Sequence, residues 1–171
     1  YPICLQTQEV DEIVNAVKWM SPGFGGINLE DIGAPRCFEI EEKLKEQLDI
    51  PVFHDDQHGT AVVTLAATIN ALKVTGKDLS DLRTVIVGVG AAGVAITKIL
   101  LEAGAEEILC CDRSGIINRD NIDELNSSKQ WVAENTNPEN LSGSLLEATE
   151  NADLLIGVSG PGTVPIEAIE Q

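Results

Sequence analysis

Thr84-Val85-Ile86-Val87-Gly88-Val89-Gly90-Ala91-Ala92-Gly93 carries a β-branched run straight into a G-x-G-x-x-G pattern. Val94, Ile96, Ile99 and Leu100 follow at helical spacing, so the glycines lie between a strand and a helix. In that context the first glycine makes the tight turn and the second lets backbone approach a pyrophosphate. The third allows the helix to pack closely on the strand. The next apolar run, Glu107 to Cys111, ends at Asp112, about twenty residues past the last glycine, where an acid binds the adenosine ribose hydroxyls. Gly88, Gly90, Ala91, Ala92, Gly93 and Asp112 are therefore candidate dinucleotide contacts. The competing reading is a turn of the same build that has lost its ligand. Strand, glycines, helix and terminal acid standing together weigh against it.

Downstream, Gly115 to Asn140 is rich in Asn, Asp and Ser and reads as surface loops and short helices. Leu145 to Ala148 suggests a helix, and Asp153 to Val158 a buried strand. The turn Ser159-Gly160-Pro161-Gly162-Thr163 follows that strand. In a doubly wound sheet this strand end also borders the dinucleotide, which makes Ser159 and Gly160 weaker candidates, since such turns are common.

Upstream, the alternation has already begun. Asp11 to Met20 has Ile13, Val14, Val17 and Met20 at helical spacing and stops at Ser21-Pro22-Gly23. Phe24 to Asp31 contains a short strand finishing in Glu30-Asp31. Pro35 opens a helix with Phe38, Ile40, Leu44 and Leu48 apolar and Glu41, Glu42, Lys43, Lys45 and Glu46 directed outward. Ile50 to Phe53 reads as a buried strand, His54-Asp55-Asp56-Gln57-His58 follows, and a helix runs from Gly59 to about Lys73, stopped near Gly76.

Two consecutive strand-to-helix junctions thus carry acidic pairs, Glu30-Asp31 and Asp55-Asp56. Parallel neighbours joined by a crossover helix bring both pairs to one edge of a sheet. Adjacent carboxylates repel unless a cation lies between them, and several converging carboxylate oxygens suit Mg²⁺ or Mn²⁺. The plainer alternative is a solvated turn in which Asp56 or Thr60 caps the next helix. The expected fold class is α/β: a Rossmann-like doubly wound parallel sheet with helices on both faces, preceded by βα units carrying the acids. Residues 1–76 form the expected metal-binding segment and 77–171 the dinucleotide-binding one.

Composition agrees. In 171 residues, 43% hydrophobic content with only 4% aromatic describes a core of Val, Ile, Leu and Ala, suited to a covered parallel sheet. A net charge of −17 argues against nucleic acid and anionic membrane as partners. Cys4, Cys37, Cys110 and Cys111 have no zinc-like spacing and read as reduced, buried thiols of a cytoplasmic protein. No secretory signal pattern or apolar run of transmembrane length occurs. The chain starts at Tyr1, not Met, and stops at Gln171 inside an apparent helix, so a piece of a longer protein is expected.

With both acidic boxes and the glycine turn in view, the chain resembles malic enzyme, most closely the shorter bacterial type. The resemblance rests on Phe24-Gly25-Gly26-Ile27-Asn28-Leu29-Glu30-Asp31, on Phe53-His54-Asp55-Asp56-Gln57-His58-Gly59-Thr60, and on Gly88-x-Gly90-x-x-Gly93 with Asp112. It implies metal ligation by Glu30, Asp31 and Asp56, a role for Asp55 in orienting a catalytic lysine, and a place for Thr60 near the cofactor. It also implies that the catalytic tyrosine and lysine and a substrate-binding arginine lie upstream, and a substrate-binding asparagine downstream. Lys18, Lys43, Lys45, Lys73 and Lys77 belong to helices or their ends, so this chain alone is expected to be inactive. The implied reaction is oxidative decarboxylation of malate to pyruvate, with the metal polarising the forming carbonyl and stabilising the enolate. A homodimer or larger assembly is implied for the complete protein.

Three rivals remain open. Malolactic enzymes share these motifs and convert malate to lactate with tightly held NAD. A non-catalytic dinucleotide module would not need the double acidic box, and a dehydrogenase of another small acid would not need a metal. For the cofactor, NAD is expected over NADP, because Asp112 would meet a 2′-phosphate with like charge. Arg113 beside it is the opposing signal, since an arginine there can pair with that phosphate.

Overall fold

The computed structural model describes residues 1–120 and 122–170. The helix expected at Gln171 lies outside the described residues; Ile166–Ala168 before it forms one 3-10 turn. Helix α1 (Val10–Met20) carries Asp11 and Glu12 in its first turn and Lys18 in its last, matching the helix dipole. It buries Ile13, Val14 and Val17. Strand β1 (Ile27–Leu29), helix α2 (Arg36–Gln47) and strand β2 (Val52–His54) form a right-sized crossover, and the two strands pair in parallel, Ile27 with Val52 and Leu29 with His54. Leu29, Ile40, Leu44 and Val52 join the buried face of α1 in one core.

Two expectations need correction here. The strand before His54 is not buried throughout: Val52 and His54 face inward while Phe53 is 42% exposed. A two-stranded sheet covered on one face alternates with a period of two, so one residue in each pair must face out. Glu41 is not directed outward either, being only 6% exposed. It falls on the stripe of α2 formed by Cys37, Ile40 and Leu44, and all four are buried.

After β2 the chain makes a five-residue π-helical turn, Asp55–Gly59, and continues directly into helix α3 (Thr60–Thr75). Gly76 closes α3 in the left-handed conformation (φ +69°), its N–H donating to Leu72 O at 2.8 Å. Only Ala61 and Thr68 of α3 are buried, and Val62, Val63, Ile69 and Val74 stay exposed.

The second sheet orders its strands β5-β4-β3-β6. Strands β3 (Arg83–Val87), β4 (Glu107–Asp112) and β6 (Leu154–Gly157) are parallel, with β3 between the other two. At one edge of this parallel sheet the short strand β5 (Gly115–Ile116) pairs antiparallel with β4. Alternation along β3 and β4 sends Ile86, Ile108 and Cys110 to one face and Val85, Val87, Leu109 and Cys111 to the other. Helices α4 (Ala91–Glu102) and α5 (Ser127–Asn135) cover the first face through Val94, Ile96, Leu100 and Val132. Helix α6 (Leu145–Thr149) covers the second through Ala148 and Leu145. Because β3 leads through α4 to β4 on one side while β6 lies on the other, its carboxyl end is a switch point of the sheet.

The polar stretch 115–140 is less superficial than its composition suggests. Ile116, Ile117, Val132, Ala133 and Asn137 are buried. Asn137 adopts φ +52°, and its side-chain amide donates to Ile117 O at 3.0 Å and Leu141 O at 2.8 Å. A buried amide with its hydrogen bonds made inside is an anchor of the loop.

The cysteines also divide. Cys37, Cys110 and Cys111 are buried, but Cys4 is exposed, against the expectation of four buried thiols. Burial pushes Cys110 up to about 11 and Cys111 to about 12. Among the described residues no helix is long and apolar enough to cross a membrane.

Candidate metal and dinucleotide site

Parallel pairing of β1 and β2 puts both acidic boxes at one sheet edge. One carboxylate oxygen from each of Glu30, Asp31 and Asp56 lies within 4.8 Å of the others. At that spacing each pair of negative charges repels by about 1 kcal/mol at the dielectric of water, and by several times that at a protein surface. The backbone holds the cluster together. Asp31 adopts φ +56°, a conformation that aspartate tolerates better than most residues, and its N–H donates to Asp56 Oδ2 at 3.0 Å. The Asn28 side-chain amide donates to Glu30 Oε2 at 2.9 Å. The donor set is all carboxylate oxygen, and Glu30 and Asp31 are open to solvent, as a cation that keeps some water requires. Among the described residues this is the only cluster of three or more such ligands.

The π turn decides how the second box is presented. The N–H of Thr60 reaches back to Asp55 O and Gln57 O, and neither Asp56 nor Thr60 caps α3 with its side chain. Asp55 is directed elsewhere than the cluster. Its carboxyl group lies over the Cα of Gly59, where an added Cβ would stand 2.2 Å from Asp55 Oδ1 and 2.9 Å from its Cγ. Gly59 has an ordinary helical φ of −62°, so the glycine is there for space. Beneath the turn, the buried Glu41 carboxylate meets His58 Nε2 at 2.6 Å, Gln57 Nε2 at 3.2 Å and Lys45 Nζ at 2.8 Å.

The glycine turn at the end of β3 has the build its pattern demands. Gly88 takes φ +108°, and a Cβ there would stand 2.9 Å from Val158 O and Ser159 N. A Cβ on Gly93 would stand 1.8 Å from Gly88 O, so helix and strand touch through that glycine. Around Gly90 nothing lies within 4 Å of the Cβ position. Gly90 caps α4 without a side chain, leaving the N–H groups of Ala91, Ala92 and Gly93 without intrahelical partners, the usual setting for a bound phosphate. Ser159 borders the turn because β6 runs beside β3, with Val158 N donating to Val87 O at 2.9 Å, and Gly160 follows it in the chain. The π turn packs on both α3 and α4, and this places the acidic edge against the glycine-turn helix.

Asp112 ends β4 as expected, but it is already engaged. Its Oδ1 accepts from Ser114 N at 2.7 Å, and its Oδ2 is paired with Lys129. Each oxygen keeps a second lone pair for a hydroxyl. Arg113 is exposed. Sequence reading missed Glu41, Lys129 and the spatial role of Gly59. The stripe of α2 at 37, 40, 41 and 44 was the available sign for Glu41. Nothing local marks Lys129, which meets Asp112 only through tertiary folding.

Family comparisons bear on this geometry directly. The model of the malic enzyme NAD-binding domain matches residues 57–170, and that of the malic enzyme N-terminal domain matches residues 5–45. The chain belongs to the malic enzyme family. The NAD-dependent malic enzyme of Geobacillus stearothermophilus is 57% identical over 171 residues, covering 100% of this chain and 36% of that protein. A bifunctional malic/malolactic enzyme of Bacillus subtilis is 49% identical over 170 residues, covering 99% of this chain and 42% of the relative. The crystal structure of the NAD-dependent malic enzyme of Thermotoga maritima superposes with a TM-score of 0.94 at 49% identity, over 99% of this chain and 45% of that one. The chain therefore spans less than half the length of these malic enzymes.

Proposed function

We propose that this chain is the metal- and dinucleotide-binding part of an enzyme that oxidatively decarboxylates L-malate to pyruvate and CO₂. The observation that carries the reading is the convergence of Glu30, Asp31 and Asp56 within 4.8 Å, on a turn packed against the helix of a dinucleotide-type glycine turn. A dinucleotide domain alone has no use for such a cluster. In this reading Glu30, Asp31 and Asp56 hold Mg²⁺ or Mn²⁺, for which an all-oxygen donor set is suited. When bound, the cation supplies Lewis-acid polarisation of the substrate oxygens, and the dinucleotide accepts a hydride.

The remaining tasks fall to the chain itself. The Asp31 N–H fixes Asp56 so that its second oxygen stays free for ligation. Asp55, seated on Gly59, orients a lysine supplied by the rest of the enzyme. Gly88, Gly90 and Gly93 open the backbone to the pyrophosphate, which the N–H groups of Ala91 and Ala92 receive. Thr60, Ser159 and Gly160 lie along the dinucleotide, and Asp112 receives the ribose hydroxyls. We place the metal-binding unit at residues 1–76 and the dinucleotide-binding unit at 77–171, since the three acids precede Gly76 and the glycine turn follows it. NAD is favoured over NADP on the strength of Asp112, although relatives named for either cofactor match. The complete enzyme is read as a cytoplasmic homodimer or larger assembly.

A second reading has a specific support, the similarity to a relative named as bifunctional malic/malolactic. One assay separates the two. The full-length enzyme, given malate, NAD and Mn²⁺, should form pyruvate, CO₂ and NADH in equal amounts. Lactate formed without net NADH would replace the oxidative reading with the malolactic one, and no product at all would sink both.

A further inference from the structure

We propose that Glu41 is a positioning residue for the acidic turn: by gripping Gln57 and His58 together it holds Asp55–Gly59 in the π-helical form that delivers Asp56 to the carboxylate cluster. The inference rests on the reading of Glu30, Asp31 and Asp56 as a cation site and names a residue outside that set.

A carboxylate at 6% exposure on a helix otherwise packed through Cys37, Ile40 and Leu44 is expensive to keep. Burying a charge is costly unless partners replace its water. Glu41 has three, and two are consecutive residues of one turn. Oε1 meets His58 Nε2 at 2.6 Å and Oε2 accepts from Gln57 Nε2 at 3.2 Å, so the two oxygens divide the turn between them. Lys45, one helical turn along α2, pairs with Oε1 at 2.8 Å. The half-open His58 and the largely buried Glu41 both line a cleft of about 640 Å³ between α2, α3 and α4.

The turn needs such a grip. A π turn is a rare form, less favourable than α-helix, and α3 continues from it without a break. Relaxing Asp55–Gly59 into regular α-helix would rotate Asp56 about the axis and away from Asp31. No side chain caps α3 to stop the helix at Thr60. Within the turn the fixed points are the Asp56 bond to Asp31 N at its start and the Glu41 bonds at Gln57 and His58. The reach of the glutamate side chain matters as much as its charge, because one carboxylate must contact two neighbouring residues.

Two substitutions in the full-length enzyme separate position from charge, read by Mn²⁺ titration with electron spin resonance beside NAD binding and thermal melting. Glu41→Asp keeps the charge and removes one methylene of reach. Glu41→Gln keeps the length and loses the charge. Both should raise the Mn²⁺ dissociation constant about tenfold or more and leave NAD affinity within about twofold. Gln57→Leu, which removes one of the two gripped groups, should weaken Mn²⁺ in the same direction and serves if the Glu41 variants fold poorly. Normal Mn²⁺ affinity in Glu41→Asp would overturn the proposal, since charge alone would then account for any loss in Glu41→Gln. Equal losses of Mn²⁺ and NAD affinity would overturn it too, as the mark of general loosening. Asp56→Asn is the reference: if it also binds Mn²⁺ normally, the cation-site reading has failed and takes this inference with it. If it alone loses Mn²⁺, only the role of Glu41 is refuted.

Discussion

The backbone N–H of Asp31 donates to the carboxylate of Asp56 across 3.0 Å, linking two residues 25 apart in the chain. One bond thereby joins the carboxyl ends of two parallel strands and fixes the face that Asp56 presents. Asp31 accepts a left-handed backbone to make it, at φ +56°. Strain of this kind costs of order 1–3 kcal/mol and survives where the surroundings enforce it.

Asp56→Asn in the full-length enzyme should keep the Asp31 bond, since the amide retains an accepting oxygen, yet lose the charge. Mn²⁺ affinity should fall tenfold or more, roughly 1.4 kcal/mol, with little change in melting temperature. Unaltered turnover at limiting Mn²⁺ would count decisively against the cluster as a cation site.

Gly59→Ala forces a Cβ into a space where Asp55 Oδ1 would lie only 2.2 Å away, so the Asp55 carboxyl group must move. The backbone at Gly59 is ordinary helix, and alanine favours helix over glycine by about 1 kcal/mol. The variant should therefore fold, with kcat reduced at least about tenfold and Mn²⁺ binding largely kept. A fully active Gly59→Ala would show that the seat of Asp55 is irrelevant to turnover.

Asp112 governs cofactor choice in this reading. The wild type should favour NAD in kcat/KM, and Asp112→Ser should narrow or reverse the ratio by freeing Lys129 from its partner. A wild type preferring NADP tenfold, about 1.4 kcal/mol in transition-state stabilisation, would instead assign the adenosine end of the site to Lys129 or Arg113.

Thiol labelling should follow burial. With the Cys110 and Cys111 thiol pKa values pushed up to about 11 and about 12 by desolvation, and that of Cys37 to about 11, the folded protein should react quickly only at Cys4 within this region. Peptide mapping after brief alkylation checks this, and early modification of Cys110 would mean that the sheet opens.

Asp153 ties the start of β6 to that of β3. The Lys77 ammonium beside it, and then the Arg83 N–H at 3.1 Å, hold its carboxyl below the ordinary carboxylate value. A depressed folded-state pKa contributes stability that is present above the unfolded pKa and is lost as pH falls through the folded one. Asp153→Asn should thus lower the melting temperature by a few degrees at neutral pH and flatten its fall on acidification. An unchanged acid limb would show that the pair is only a surface ornament in solution.

The local sequence determined much of this protein. The β-branched run into Gly88-x-Gly90-x-x-Gly93 specifies strand, turn and helix, because each glycine answers a steric demand within a few residues. The parallel placement of Glu30-Asp31 and Asp55-Asp56 followed from connectivity, since a strand, one crossover helix and a second strand leave a single sensible arrangement. Tertiary structure alone decided the rest. The π turn at Asp55–Gly59 arises where β2 must stop beside β1 while α3 packs on α4, a conflict absent from local propensity. Glu41 is buried because two side chains of that turn descend on it, and Lys129 finds Asp112 because α5 packs on a face of the sheet that β4 helps to form. Charge pairs between distant segments leave no periodic trace in a sequence, since their spacing is set by packing and not by the pitch of any one helix or strand.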